Sequence, residues 1–396
     1  MQNTYFIDGV RTPFGKAGEK GVYWQTRADD LVVKAMIGLL DRHQNLPKEA
    51  IDDVAIAATT QSGDQGLTLG RTTSILAGLP LSVPGFAVDR MCAGATTAVT
   101  MTGSAIGVGA YDVVLAGGVE HMGRHPMGLD ADPNPRFLAE KLVNPDALNM
   151  GNTAEKIHDR FPELTKERSD AFALSSQQKA AKAYAANFIQ QDLIPVSAST
   201  PTGLILVDRD EHPRPDSTLE GMKDLKTPFR VGGKVTAGNA SPLTDGATIS
   251  LLAGDKAVND FGLKPRMRMV TFAFAGVEPE IMGIGPIPST EKALRKAGLT
   301  IRDIGIIEIN EAFAVQVLAF MRHFGISDDD PRINPWGGAI AFGHPLAASG
   351  VRLMAQLSRQ FEMRPEVRYG ITTLCIGLGM GATVVWENQF FDGKKS

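Results

Sequence analysis

The sequence predicts an α/β fold of two related halves with an insertion in the first, on three observations. Short apolar runs alternate with helical stretches, two pairs of segments recur at similar spacing, and that spacing leaves a surplus of polar, proline-broken chain between them. With 396 residues, 43% hydrophobic and 21% charged, the chain has the composition and length of a globular protein of two or three domains.

Taken in order, Ile51-Asp52-Asp53-Val54-Ala55-Ile56-Ala57 reads as a strand, and it resembles Ile301-Arg302-Asp303-Ile304-Gly305-Ile306-Ile307 at an offset of 250 residues. Phe86-Ala87-Val88 is a second short strand. Met91 to Val108 is rich in Ala, Thr and Gly with almost no charge. Intrinsic propensity does not favour a helix there, but a helix of small side chains buried on all sides would let sheets approach from both faces. Val113-Val114-Leu115-Ala116-Gly117-Gly118 reads as a buried strand running into a tight turn, and its counterpart ends at Gly377, an offset of 259. Arg168 to about Asn187 and Thr290 to Ala297 are helical, and Leu346-Ala347-Ala348-Ser349-Gly350-Val351 is the partner of the first uncharged helix. An offset near 250 is too long for adjacent repeats of about 120 residues. The expected division is residues 1–119 with 245–266 as an N-terminal half, 120–244 as a ligand-covering insert, and 267–396 as a C-terminal half.

Forty Lys and Arg against forty-four Asp and Glu give a net charge of −4. The signs are mixed along the chain, which argues against a nucleic-acid partner. Two cysteines, Cys92 and Cys375, cannot build a structural zinc cluster, so no metal is expected. The N-terminal segment has no signal-peptide pattern and Lys394-Lys395-Ser396 is not a peroxisomal ending, so the expected setting is the reducing cytoplasm, without a membrane span.

Cys92 follows an apparent strand and opens a helix, where terminal N–H groups lower a thiol's pKa and can hold an oxyanion. On position alone it reads also, and more readily, as a buried core thiol. His344, in Gly343-His344-Pro345, is either a base beside a thiol or a satisfied core histidine. Cys375-Ile376-Gly377-Leu378-Gly379 could aim N–H groups at an oxyanion, and no Lys-Ser/Thr follows to make it a phosphate loop. Asn310 follows a strand and suits either a held water or a helix N-cap. Gly238 to Gly246 reads as a loop capping a following helix, and Arg214 as a surface charge.

In order, Cys92, Gly238-Asn239-Ala240-Ser241, Asn310-Glu311-Ala312-Phe313, Gly343-His344-Pro345 and Cys375-Ile376-Gly377 resemble the thiolase family over essentially the whole chain. Asp8-Gly9-Val10-Arg11-Thr12-Pro13-Phe14-Gly15, Gly117-Gly118-Val119-Glu120-His121-Met122 and Met282-Gly283-Ile284-Gly285-Pro286 extend the likeness. The resemblance implies a thiolase fold, two α/β halves in alternating helix and sheet layers with an inserted loop domain. It implies a homodimer or homotetramer, and acyl transfer between a cysteine and coenzyme A, which is a substrate, with no further cofactor. It assigns Cys92 as nucleophile, His344 as base, Cys375 as acid and base, one oxyanion site to His344 with a water held by Asn310, and another to the N–H groups of Cys92 and Gly377. Arg214 and Ser241 would meet CoA, and Met150, Met282 and Phe313 the substrate.

The sequence departs from the family pattern at Ala93-Gly94-Ala95 after the nucleophile and at Trp336, which suggests an altered pocket floor. Asn149 stands before Met150-Gly151 where short-chain members usually carry histidine, which favours degradative cleavage of 3-ketoacyl-CoA in fatty-acid or related β-oxidation. A complex with a hydratase/dehydrogenase subunit is compatible with that role. The alternatives are a biosynthetic acetoacetyl-CoA enzyme, a decarboxylating condensing enzyme, against which Cys375 stands where those carry histidine, and a non-catalytic acyl-CoA binder, for which two retained thiols beside a histidine serve no purpose.

Overall fold

The computed structural model describes residues 2–393; residue 1 and the C-terminal tripeptide lie outside the described residues. Its strands are β1 (Thr4–Arg11), β2 (Gly15–Lys16), β3 (Asp53–Ala57), β4 (Phe86–Val88), β5 (Val113–His121), β6 (Val196–Thr200), β7 (Gly203–Val207), β8 (Thr244–Gly254), β9 (Met267–Gly276), β10 (Ile304–Ile309), β11 (Tyr369–Ile376) and β12 (Met380–Asn388). β6 and β7 form a separate hairpin, and the others make one path in the order β10-β11-β12-β9-β1-β8-β5-β3-β4, with β2 beside β8.

The path contains the same arrangement twice. β3 runs parallel to β5, which is antiparallel to β8, which is antiparallel to β1; β10, β11, β12 and β9 repeat that series. Among the described residues the strands of the two series pair with each other only through Tyr5↔Arg268 and Phe6↔Met267 of β1 and β9. β11 passes to β12 through a turn at residues 377–379, whereas residues 122–243 separate β5 from β8.

Burial explains the layering. The helices Ala28–Arg42 and Leu69–Leu76 cover one face of the first series through Leu31, Val32, Met36 and Leu69. The helices Pro286–Ala297 and Ala314–Phe324 cover the second through Leu294, Leu318 and Phe320. Between the series lie the helices Gly94–Gly107 and Ser349–Met363, whose Ala95, Val99, Val351 and Met354 share one core with Phe6, Val114, Ile306 and Trp386. Gly350 permits this contact, because a Cβ there would lie 2.3 Å from Thr96 Oγ1. Among the described residues no helix is long and apolar enough to cross a membrane.

Four expectations from sequence are corrected. Gly117 and Gly118 are not a turn but mid-strand in β5, where Cβ atoms would meet Thr248 O at 2.1 Å and Ala347 O at 2.6 Å. The helix Gly94–Gly107 is not enclosed on all sides, since Met101 is half exposed. No helix follows Gly238-Asn239-Ala240-Ser241; the next element is β8, buried along its length between β1 and β5. Trp336 stacks on Phe188 at 5.0 Å in a cluster with Ala180, Tyr184 and Phe342, separate from the cluster that contains Cys92.

Candidate active site

Cys92 sits in the 3-10 turn Met91–Ala93 that leads into the first central helix. The turn is held by the Asp89 carboxylate, which accepts the Met91 N–H at 2.7 Å, and Met91 takes a left-handed φ of 45°. Gly94 lets this turn press on the opposite half, since its Cβ would lie 2.9 Å from the Ala347 Cβ. The thiol is thereby brought beside the loop that carries His344.

Gly343, with a φ of 105° that favours glycine, ends the short helix Ala339–Phe342 before His344, whose N–H donates to Thr244 Oγ1 at 3.0 Å. The ring is buried, with Nδ1 2.6 Å from Ser349 Oγ. Asn310, directly after β10, places Nδ2 3.3 Å from His344 Nε2, and its Oδ1 accepts from Arg352 at 3.3 Å. It is not an N-cap, since the following helix begins at Ala314 and is preceded by Phe313. Cys375 is the penultimate residue of β11, and the Gly377 N–H beyond it faces the Cys92 thiol together with the N–H of Cys92 itself.

Burial pushes the Cys92 thiol up to about 12 against these two N–H groups, and Glu120 and Asp89 add to the rise. Burial and the neighbouring Cys92 raise Cys375. Burial, then the positive charge of Arg352, lowers His344 to about 3. At neutral pH the site thus holds two thiols and an uncharged imidazole. In the tautomer with Nδ1–H donating to Ser349, Nε2 carries the lone pair that a general base requires and faces the Asn310 Nδ2 at 3.3 Å.

The other residues singled out from sequence divide between two places. Met282, Phe313 and Cys375 share an apolar cluster on which Met150 packs, and a Cβ on Gly377 would reach the sulfurs of Met91 at 2.7 Å and Met150 at 3.8 Å. Arg214 lies further off, in a cleft lined also by Gln177, His212, Ser217, Met222 and Pro242. Ser241 borders that segment and ties it to Ala312 O through its N–H at 2.9 Å. His212 connects the cleft to the chemistry, with Nε2 3.1 Å from Thr244 Oγ1, the acceptor of the His344 N–H.

Sequence reasoning missed the supporting groups. Glu120 is buried and accepts the N–H groups of Thr59, Thr60 and Ala347, which fixes the loop after His344. Ser349 and Arg352 lie five and eight residues beyond His344, Ser349 inside the predicted helix 346–351 and Arg352 directly after it; a polar side chain in and beside that apolar run was the available signal.

Residues 4–256 match the family model described as thiolase, N-terminal domain, and residues 263–388 match thiolase, C-terminal domain. The chain is 40% identical to the 3-oxoadipyl-CoA/3-oxo-5,6-dehydrosuberyl-CoA thiolase of Escherichia coli K12, with 98% of this chain and 100% of that protein covered. It is also 40% identical to a 3-ketoacyl-CoA thiolase of Pseudoalteromonas translucida, over 98% of this chain and 99% of that one. Human mitochondrial 3-ketoacyl-CoA thiolase superposes with a TM-score of 0.88 at 32% identity, over 98% and 99% of the two chains.

Proposed function

The chain belongs to the thiolase family, and from that premise we propose that it cleaves 3-ketoacyl-CoA with CoA to acetyl-CoA and a shortened acyl-CoA in a degradative pathway. The observation that carries this reading is the convergence of two thiols, an uncharged imidazole, a carboxamide and two backbone N–H groups at the junction of the two halves.

His344 takes the Cys92 proton as the sulfur attacks the C3 carbonyl, so a thiolate forms only as the carbonyl oxygen takes up charge. With Cys92 held near 12 by burial, this concerted route avoids a costly resting thiolate. The C2–C3 bond breaks, and its electron pair becomes the enolate of acetyl-CoA. Asn310 and His344 stabilise the enolate oxygen, while Cys375 gives C2 its proton. After acetyl-CoA leaves, the incoming CoA thiol returns a proton to Cys375 and its sulfur attacks the acyl group on Cys92. The N–H groups of Cys92 and Gly377 hold that oxyanion, and Cys92 regains its proton from His344 as it departs.

Residues 120–244 serve as the insert that covers CoA, with Arg214 and Ser241 at its contacts and no other cofactor required. Met150, Met282 and Phe313 offer the acyl chain an apolar wall, which favours aliphatic chains of fatty-acid β-oxidation over a carboxylate-ended one. A cytoplasmic homodimer or homotetramer, able to join a hydratase/dehydrogenase subunit, completes the reading.

Substrate loss should be followed for 3-ketoacyl-CoAs of four to sixteen carbons and for 3-oxoadipyl-CoA. Cleavage of medium and long chains supports the proposal. Activity confined to the four-carbon substrate would mean an acetoacetyl-CoA enzyme, and a preference for 3-oxoadipyl-CoA would contradict the aliphatic assignment.

A further inference from the structure

Arg352 lies on the second central helix with no measurable exposure, and among the described residues no carboxylate oxygen comes within 4.0 Å of its guanidinium. A buried cation without a direct counter-ion is costly to keep. Its hydrogen bonds go to two carboxamides, Gln356 Oε1 at 2.6 Å and Asn310 Oδ1 at 3.3 Å, and Nε has no partner. Glu308, two residues before Asn310 on β10, bonds Gln360 at 2.8 Å and leaves Oε2 unpartnered. The charges of Glu308 and Glu311 act on Arg352 from beyond 4.0 Å, while its direct hydrogen bonds run to Gln356 and, on the active-site side, to Asn310.

The chemistry of the contact fixes an orientation. A guanidinium has five N–H donors and no acceptor, so only the oxygen of the Asn310 amide can face it. The Asn310 NH2 group is then turned to the other side, where it lies 3.3 Å and 3.5 Å from the two ring nitrogens of His344. The backbone N–H of Asn310, bonded to Thr373 O, anchors the main chain but leaves the amide free to flip. We infer that Arg352 is a positioning residue for the proposed reaction, holding the Asn310 oxygen so that the Asn310 NH2 donates toward His344 and the enolate oxygen.

The inference rests on the thiolase reading, and a double-mutant cycle separates the two. Wild type, Arg352→Met, Asn310→Ala and the double variant would be compared for kcat and KM in thiolysis. Losing one preorganised donor lowers kcat by about 10²–10³-fold, so Asn310→Ala sets that limit and Arg352→Met should lose about 10–10²-fold with KM nearly unchanged. If Arg352 acts through Asn310, the double variant is within about twofold of Asn310→Ala. A merely structural role would instead multiply the two losses, and that result, or an Arg352→Met kcat close to wild type, overturns the inference. Should Arg352→Met not fold, Gln356→Met loosens the guanidinium while leaving it in place; it should reduce kcat in wild type but not in the Asn310→Ala background, and the converse overturns the inference. An inactive wild type would refute the thiolase reading and this inference with it.

Discussion

His121 and Asp245 show how a single proton is dictated by its neighbours. His121 Nε2 faces Tyr23 O at 2.8 Å and must carry a hydrogen, while Nδ1 accepts the Arg124 N–H at 3.2 Å. Asp245 Oδ2, 3.3 Å from that same Nδ1, has no donor of its own unless the carboxyl group is protonated. Burial raises Asp245 to about 7, against the Gly123 N–H that it accepts. A carboxyl group raised from 3.8 to about 7 contributes stability that is fully present below pH 3.8 and lost as pH rises to about 7. The span corresponds to a loss on the order of 4 kcal/mol. Asp245→Asn keeps the Gly123 contact and supplies a permanent donor to His121. Denaturant unfolding between pH 5 and 8 should therefore show a flatter pH profile and greater stability at pH 8 than wild type; equal slopes would show that Asp245 is ionised throughout.

The residues proposed to react were legible because their types and neighbours announce chemistry; their supports were not. Cys92, His344, Cys375 and Asn310 each stood in a glycine-flanked or strand-ending motif, and the fold places them together. Glu120, Ser349 and Arg352 are polar residues inside apolar segments, and their partners are distant in sequence, as with Glu120 and Ala347. Local pattern carries no record of such pairings.

At the scale of elements, glycine is where local reading and tertiary packing diverge. Gly343 marks a backbone conformation that needs glycine, with φ of 105°, and a Cβ there would lie 2.6 Å from His212 and Thr244. Gly343→Ala should lower kcat at least tenfold, by analogy with small displacements of catalytic groups, while circular dichroism stays unchanged; full activity would mean that the loop absorbs the methyl group without moving His344. Gly350 is different, since it lies in a regular helix and serves only the approach of Thr96. Gly350→Ala should destabilise by about 1–3 kcal/mol as an overpacked contact, read as a Tm lowered by several degrees. An unchanged Tm would show that the central helices can part without penalty. Gly117 and Gly118 belong to this second class, which a turn-based reading of glycine cannot distinguish from the first.

At the scale of the molecule, the duplication was visible because each half must build the same buried strands, whereas the arrangement of the insert depends on contacts between remote residues. One of these is the buried pair of Arg11 on β1 and Asp210, joined at 2.6 Å and 2.8 Å and reinforced by the Phe14 N–H and the Tyr184 hydroxyl. Asp210→Ala would leave Arg11 buried and uncompensated, a loss of about 3–5 kcal/mol. Limited proteolysis should then cut residues 122–243 faster than in wild type, and an unaltered digestion rate would mean that other contacts hold the insert.

The central claim is that Cys92 carries the acyl group. Incubation with a medium-chain 3-ketoacyl-CoA without free CoA, followed by peptide mass spectrometry, should find the shortened acyl mass on the Cys92 peptide alone, and added CoA should discharge it. No adduct in an enzyme that still cleaves substrate, or an adduct on Cys375, would contradict the account.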